Sequence, residues 1–290
     1  MLHIKTFTLD PSFIGLITTG KFSFFSINLF SSLFDLSKLP ENVRNDILTN
    51  DRYTKMFNEF PNTLLGISKD YKTSKGLKKG VLTGILYLSP ADSSGVNLCP
   101  MAEIAKCKAP CLFTAGRGAM NIVQMGRLRK TLMYLQYPDK FKSMLIADIE
   151  TLQRKAKRDN LEPMVRLNGT SDIRWEIVFP EIFSIFYGIQ FYDYTKIPNR
   201  KLGKIQNYDL TYSYSGVTKY QSFVDRAIKD SMRMAVVFEK YLPKTFKGLK
   251  VVNGDDTDIR PYDSQGVVVG LLAKGKARQD TSGFVVRQSN

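Results

Sequence analysis

Short runs rich in β-branched and aromatic residues recur along the second part of this chain, and each one stops at a cluster of polar residues. VLTGILYLS (81–89) runs into a loop, and MVRLN (164–168), IQFYDYT (189–195), YDLTYS (208–213), MAVVF (234–238), LKVVN (249–253) and VVVGLLA (267–273) follow. Helical segments separate several of these runs. NIVQMGRLRKTLMYLQY is stopped by Pro138, and FKSMLIADIETLQRKAKRDN places Phe141, Leu145, Ile149 and Leu152 on one face. Strands separated by helices predict an α/β fold whose strands are parallel. The expected architecture is a partial or complete (β/α) barrel-like parallel sheet with a small N-terminal extension. Residues 1–78 read as that extension and residues 79–290 as the barrel-like domain. Within the extension, LPENVRNDILTNDRYTKMFNEF has a helical period and KDYKTSKGLKKG reads as a basic linker.

In parallel α/β folds the loops at the C-terminal strand ends build the functional site. That rule would gather Cys99, Cys107, Cys111, Asn168, Asp172, Lys196, Ser213, Asp255, Asp258, Arg260, Lys274 and Arg278 on one side of the sheet. Strand ends also attract ordinary polar turn residues, and that plainer reading stands beside the functional one.

The three cysteines of the chain all fall in LCPMAEIAKCKAPCLF, separated by seven residues and then three. Buried cysteines that merely fill a core have no reason to cluster. Gly95, Asn97, Pro100 and Pro110 mark the stretch as loop, and thiolates on a loop can converge on a metal. Three sulfurs suit an iron–sulfur cluster with one iron left open, or a zinc completed by a fourth ligand. The only histidine is His3, so a Cys–His zinc site depends on that residue or on an aspartate in its place. A disulfide with a spare thiol is the remaining alternative; the odd count and an N-terminus, MLHIKTFTLD, unlike a secretory signal speak against it. A lone histidine also excludes Ser-His-Asp and Cys-His catalysis, and no Walker-type phosphate loop is present.

A formal net charge of +15 favours an anionic partner, most simply nucleic acid or a nucleotide. Part of the excess is clustered, in KTSKGLKK before residue 80, in RKAKR at 154–158 and in KGKAR at 274–278. Lys274, Lys276 and Arg278 are the candidate phosphate contacts; a solvated basic surface is the alternative. The apolar run from Phe13 to Leu36 is interrupted by Lys21 and Asp35, and a membrane span needs about twenty mostly apolar residues. No membrane partner is expected.

Several long motifs follow one another along the chain: LSPADSSGVNLCPMAEIAKCKAPCLFTAGRGAM, VRLNGTSDIRWE, FYDYTK, LTYSYSG, NGDDTDIR and KGKARQDTSGFV. Together they resemble the phage protein family called gene product 88, over about residues 79–290. The resemblance implies a phage or viral origin, hence the host cytoplasm, and supplies no mechanism. A looser similarity is to radical S-adenosylmethionine enzymes, which carry three cysteines in the loop after the first strand of a partial (β/α) barrel. The order of strand, three-cysteine loop and helix is the same here, whereas the spacing departs from their Cys-x3-Cys-x2-Cys. That similarity implies a 4Fe–4S cluster on Cys99, Cys107 and Cys111, with zinc as the alternative, and S-adenosylmethionine on the open iron.

The remaining candidates come from the motifs. Gly116 and Gly118 in GRG would offer backbone N–H groups to an anionic ligand at a helix start. Asn168 and Ser171, with Asp172, would hydrogen-bond a cofactor's ribose or amino group, while Arg174 and Glu176 would pair with each other. Trp175 stacks on a base or packs in the core. Tyr192 and Tyr194 share a strand face beside Lys196, which suits stacking on a ring, and Ser213 ends the next strand. Asp255, Asp256 and Asp258 in GDDTD have the density of a Mg²⁺ site or of salt bridges to Arg260 and Lys274. Asp172, Lys196, Asp255 and Asp258 are the catalytic candidates. Three functions remain open: a radical S-adenosylmethionine-like iron–sulfur enzyme acting on nucleotides or nucleic acid, a nucleic-acid-binding protein with a structural metal, and a metal-dependent nuclease.

Overall fold

The computed structural model describes residues 37, 39, 41–67, 71–197 and 200–288. His3 and the apolar run Phe13–Leu36 lie outside the described residues. Among the described residues nine strands form a sheet in a mixed α/β fold: β1 (Leu65–Ile67), β2 (Val81–Leu86), β3 (Glu162–Arg166), β4 (Gln190–Thr195), β5 (Tyr208–Ser213), β6 (Met234–Phe238), β7 (Thr245–Phe246), β8 (Leu249–Asn253) and β9 (Val268–Leu272). Their order is β1-β2-β3-β4-β5-β6-β9-β8-β7. Every pairing from β2 to β8 is parallel, and only the short outer strands β1 and β7 pair antiparallel.

Five consecutive strands, β2 to β6, lie side by side in chain order. Right-handed crossovers then put the connections between them on one face. The longest of these connections is α4 (Asn121–Gln136) followed by α5 (Pro138–Arg158). Pro138 and Asp139 open α5, and Lys155, Lys157 and Arg158 close it, which complements the helix dipole at both ends. Phe141, Leu145, Ile149, Leu152 and Ala156 form its buried stripe against Leu82, Leu86 and Val165. Each of the four large side chains contributes about 1.5–3 kcal/mol of burial. A Cβ at Gly84 would come within 3.2 Å of Leu152 and Leu65, so the glycine sets how closely α5 approaches the sheet.

The opposite, inner face is covered too, because all six residues of β2 are buried. What covers it is the crossover from β8 to β9, residues 254–267, which returns along the inside of the sheet. Ile259 meets Val81, Met164 and Tyr192 in one cluster. Asp258 pairs with Arg166, Arg260 is fully buried, and Tyr262 donates to Glu162 at 2.5 Å. Arg233 reaches the Asp263 carbonyl at 2.6 Å and pairs with Asp209. Charged side chains therefore occupy the inner face in matched pairs.

Before residue 79 the chain already contributes to this body. The helical period over 39–60 forms two helices, α1 (Glu41–Thr49) and α2 (Asp51–Asn58), separated at Asn50, whose side chain caps the second by accepting from Arg52 N–H at 3.1 Å. Leu39, Val43, Ile47 and Phe57 pack on Met125, Leu128 and Leu132 of α4. The basic stretch read as a linker contains α3 (Tyr71–Leu77), and Lys75 in it donates to the Asp255 carbonyl at 3.0 Å. Two further short helices, α6 (Trp175–Val178) and α7 (Glu181–Ile185), follow β3, and α8 (Gln221–Lys229) follows β5.

Candidate metal centre

The cysteine loop leaves the end of β2 and folds back over the C-terminal ends of the neighbouring strands. Its first turn is closed by Leu98 N–H to Ala91 C=O at 2.9 Å, and the Ala91 N–H donates to Cys99 Sγ at 3.3 Å. Asn97 accepts from Cys99 N–H at 2.9 Å. The loop is then pinned at four places. Asp172 N–H donates to Leu98 C=O at 2.9 Å, Cys99 Sγ lies 3.7 Å from the Thr170 carbonyl, Ser215 Oγ donates to Ala105 C=O at 2.8 Å, and Ser282 Oγ to Lys106 C=O at 3.4 Å. The loops after β3 and β5 and the final segment thus all hold it.

Cys99, Cys107 and Cys111 form no disulfide, and each is half-buried. Burial pushes the Cys99 thiol up to about 12, the Ala91 N–H opposes that, and Asp172, Cys111 and Cys107 add to it. Burial also raises Cys107, where Lys196 opposes it most. Among the described residues no three Cys, His, Asp or Glu side chains close into a ligand set.

Asp172 and Lys196 form the floor. Asp172 is buried and accepts from Thr195 Oγ1 at 2.8 Å and Lys196 N–H at 2.7 Å, with Arg200 at 3.6 Å. Burial raises its carboxyl and these partners oppose the rise. Lys196 Nζ donates to Ser213 Oγ at 2.9 Å and to the carbonyls of Ser213 and Tyr214, each at 3.1 Å. The Phe284 ring lies 4.7 Å from the ammonium. Cys107 is part-buried against the small cluster of Ala273, Ala277, Phe284 and Val285.

Behind this floor the NGTSDIRWE segment folds into a rigid shelf. Asn168 Oδ1 accepts from Ser171 Oγ, Ile173 N–H and Trp175 Nε1 at 2.9, 2.9 and 3.1 Å, and its amide donates to Ile173 C=O at 2.9 Å. Asn168 and Ser171 thereby spend their hydrogen bonds on one another and on the shelf. Trp175 is fully buried and stacks parallel to Phe141 with ring centroids 6.3 Å apart. A Cβ at Gly169 would meet the Tyr87 ring at 2.6 Å, which accounts for glycine there. Glu176 pairs with Arg174 at 3.3 Å and also holds Arg200 through two bonds of 3.0 and 2.5 Å.

The other sequence candidates sit apart from the cysteines or in separate bonds. Tyr194 donates to Asp258 at 3.2 Å, and Asp258 pairs with Arg166 on the inner face. Asp255 accepts from Lys274 at 2.6 Å and Leu272 N–H at 2.9 Å, while Asp256 accepts from Asn253 at 2.9 Å. The three GDDTD carboxylates therefore each engage different partners. Gly116 and Gly118 lie in a short turn, where Gly116 has φ +53° and a Cβ on Gly118 would sit 2.9 Å from the Phe113 carbonyl. Lys276 and Arg278 are exposed on the turn after β9, as is Lys274.

Sequence reasoning missed Arg200, Ser215 and Phe284. The latter two stand in quoted motifs, YSYSG and DTSGF, where Gly216 N–H donates to Gly283 C=O at 2.9 Å and ties the two together. Among the described residues no helix is long and apolar enough to cross a membrane.

No curated protein and no solved structure matches this sequence. The family model described as Gene product 88 matches residues 62–288, which takes in every strand and the whole cysteine loop. The chain belongs to the Gene product 88 family of phage proteins.

Proposed function

We propose that this protein binds a thiolate-held metal centre on Cys99, Cys107 and Cys111 and is an iron–sulfur enzyme of radical S-adenosylmethionine-like architecture. The observation that carries the reading is the placement of three thiols, none in a disulfide, on one loop pinned over the C-terminal strand ends. The donor set fits such a group. Burial makes a bare thiolate costly, so the ionised sulfurs need a cation beside them, and a backbone N–H already points at one of them. Five parallel strands in chain order are consistent with a partial barrel, whose active end is the one the cysteine loop covers. A 4Fe–4S cluster on three thiolates, with S-adenosylmethionine on its open iron, would supply one-electron chemistry.

The chain's own residues would position and shield that centre. Asp172 has both oxygens engaged by Thr195, Lys196 and Arg200, so it holds the floor in place and is poorly placed to be a fourth ligand. This favours an open iron over a closed structural zinc. The basic charge and the exposed Lys274, Lys276 and Arg278 favour a nucleotide or nucleic-acid substrate in the infected host's cytoplasm. A second reading, a nucleic-acid-binding protein stapled by zinc, rests on the same charge. The nuclease reading gains nothing from Asp255, Asp256 and Asp258, since each has its own partner.

Anaerobic purification followed by iron, zinc and acid-labile sulfide analysis tests this. A brown protein with iron and sulfide, both lost in Cys107→Ala, is the expected result. One tightly held zinc and no sulfide would overturn the radical reading and leave the stapled binding protein.

A further inference from the structure

Lys196 presents an unusual arrangement for a buried ammonium. It is buried at the end of β4, and its hydrogen bonds go to three neutral oxygens, Ser213 Oγ and the carbonyls of Ser213 and Tyr214. Among the described residues no carboxylate forms an ion pair with it; Asp172 accepts from its backbone N–H and is engaged by Arg200. Burying a cation without a counter-ion is expensive, and ordinary proteins avoid it. Three other buried cations among the described residues do have carboxylate partners, Arg166 against Asp258, Arg233 against Asp209 and Arg200 against Glu176.

The cysteine loop packs into the same corner: Cys107 lies against the clusters that hold Phe284, whose ring is 4.7 Å from the ammonium, and Tyr214 and Tyr220, which both bond to Lys196. As thiols the loop's three sulfurs carry no charge. As three thiolates on a dication, or on an oxidised 4Fe–4S core of the same charge, they carry one net negative charge. Formation of the centre would therefore add negative charge beside Lys196 to that of the neighbouring Asp172 carboxylate.

We propose that Lys196 is the fixed counter-cation of the thiolate centre, a positioning residue that strengthens its binding without touching the metal. The inference rests on the metal-binding reading above. Its three hydrogen-bond acceptors leave it no proton for a ligand, and the Phe284 ring lies 4.7 Å from it. Tyr220 fixes the same corner by donating to the Lys196 carbonyl at 2.9 Å.

The test uses the full chain, stripped of metal and titrated anaerobically with Co²⁺ and then Zn²⁺ against a competing chelator. The thiolate-to-cobalt charge-transfer band reports which ligands are engaged. Lys196→Gln keeps a hydrogen-bond donor and removes the charge. It should weaken both metals about 10–100-fold, as removal of a group just outside the ligands does, while the melting temperature of the metal-free protein does not fall. A merely structural lysine would give the reverse, a lower melting temperature and unchanged affinity. If both fall, Lys196→Arg decides: affinity regained with the guanidinium supports the counter-cation, and no recovery overturns it. Equal binding by wild type and Lys196→Gln refutes this assignment alone. A wild type that takes up neither metal and cannot be reconstituted with iron and sulfide refutes the metal reading, and the assignment with it.

Discussion

Replacing Asp258 by alanine should unfold this protein more readily than any other change in the GDDTD segment. The side chains of Arg166 and Asp258 are 9% and 8% exposed, so neither is solvated well enough to stand alone. Breaking a buried pair by deleting one partner costs about 3–5 kcal/mol, because the surviving charge stays buried. Tyr194 also loses the acceptor of its hydroxyl. At roughly 2–4 °C per kcal/mol for a domain of this size, the melting temperature should fall by roughly 6–20 °C. Thermal and urea unfolding followed by the fluorescence of Trp175, the single tryptophan, gives the readout. Asp255→Ala is the internal control. Its partner Lys274 is about half exposed, and a surface pair of that kind is worth about 1 kcal/mol or less. The double replacement Arg166→Met with Asp258→Leu should recover most of the loss, since an apolar pair of similar size can match a buried ion pair. If Asp258→Ala melts with the wild type, or if the double variant is no better than the single one, the paired-charge account of the inner face is wrong.

Two further perturbations probe other parts of the structure. Burial is the main cause that raises Asp193 from 3.8 to about 6, opposed by Arg166, the Asn168 N–H and the Tyr208 hydroxyl. The native state then holds this proton more tightly than the unfolded chain, so its contribution to stability falls as pH rises from about 4 to 6, by up to about 3 kcal/mol, and is level above that. Urea unfolding across this range should show the slope in wild type and lose it in Asp193→Asn; identical slopes would refute the assignment. Gly216→Ala places a Cβ 2.6 Å from the Gly283 carbonyl oxygen, which should push residues 280–288 off the cysteine loop at a cost of about 1–3 kcal/mol. Limited proteolysis should clip that segment sooner than in wild type, and an unchanged digestion pattern would count against the tie.

Much of the sheet was legible because its strands are short runs of β-branched and aromatic residues bounded by turns. YDLTYS is β5 residue for residue, and the stripe Phe141, Leu145, Ile149, Leu152 is the buried face of α5. The strands β1 and β7, three and two residues long, carry no period to detect and exist through their neighbours. The mostly parallel α/β class follows from the strand–helix alternation. The course of residues 254–267 along the inside of the sheet does not, because its partners Arg166, Glu162 and Arg233 are remote in sequence. The same remoteness explains GDDTD. Its carboxylate density is a local signal suggesting a cation site, whereas Arg166 and Lys274, which engage Asp258 and Asp255, are known only from the fold. The cysteine cluster needed no tertiary knowledge to notice, but Ser215, Ser282 and Phe284 beside it did.

The strand order β6-β9-β8 has a consequence for how the chain is made. β9 leaves the ribosome after both of the strands it separates. Until it arrives, β6 and the β7–β8 hairpin each present a bare strand edge, with Val236, Phe238, Val251 and Val252 unshielded, and such edges recruit other chains. The β7–β8 hairpin joins the rest of the sheet only through β9, a strand synthesised after it. Inserting β9 between them would also carry residues 254–267 to the inner face, so the β8–β9 crossover joins the last strand pairing to the covering of that face.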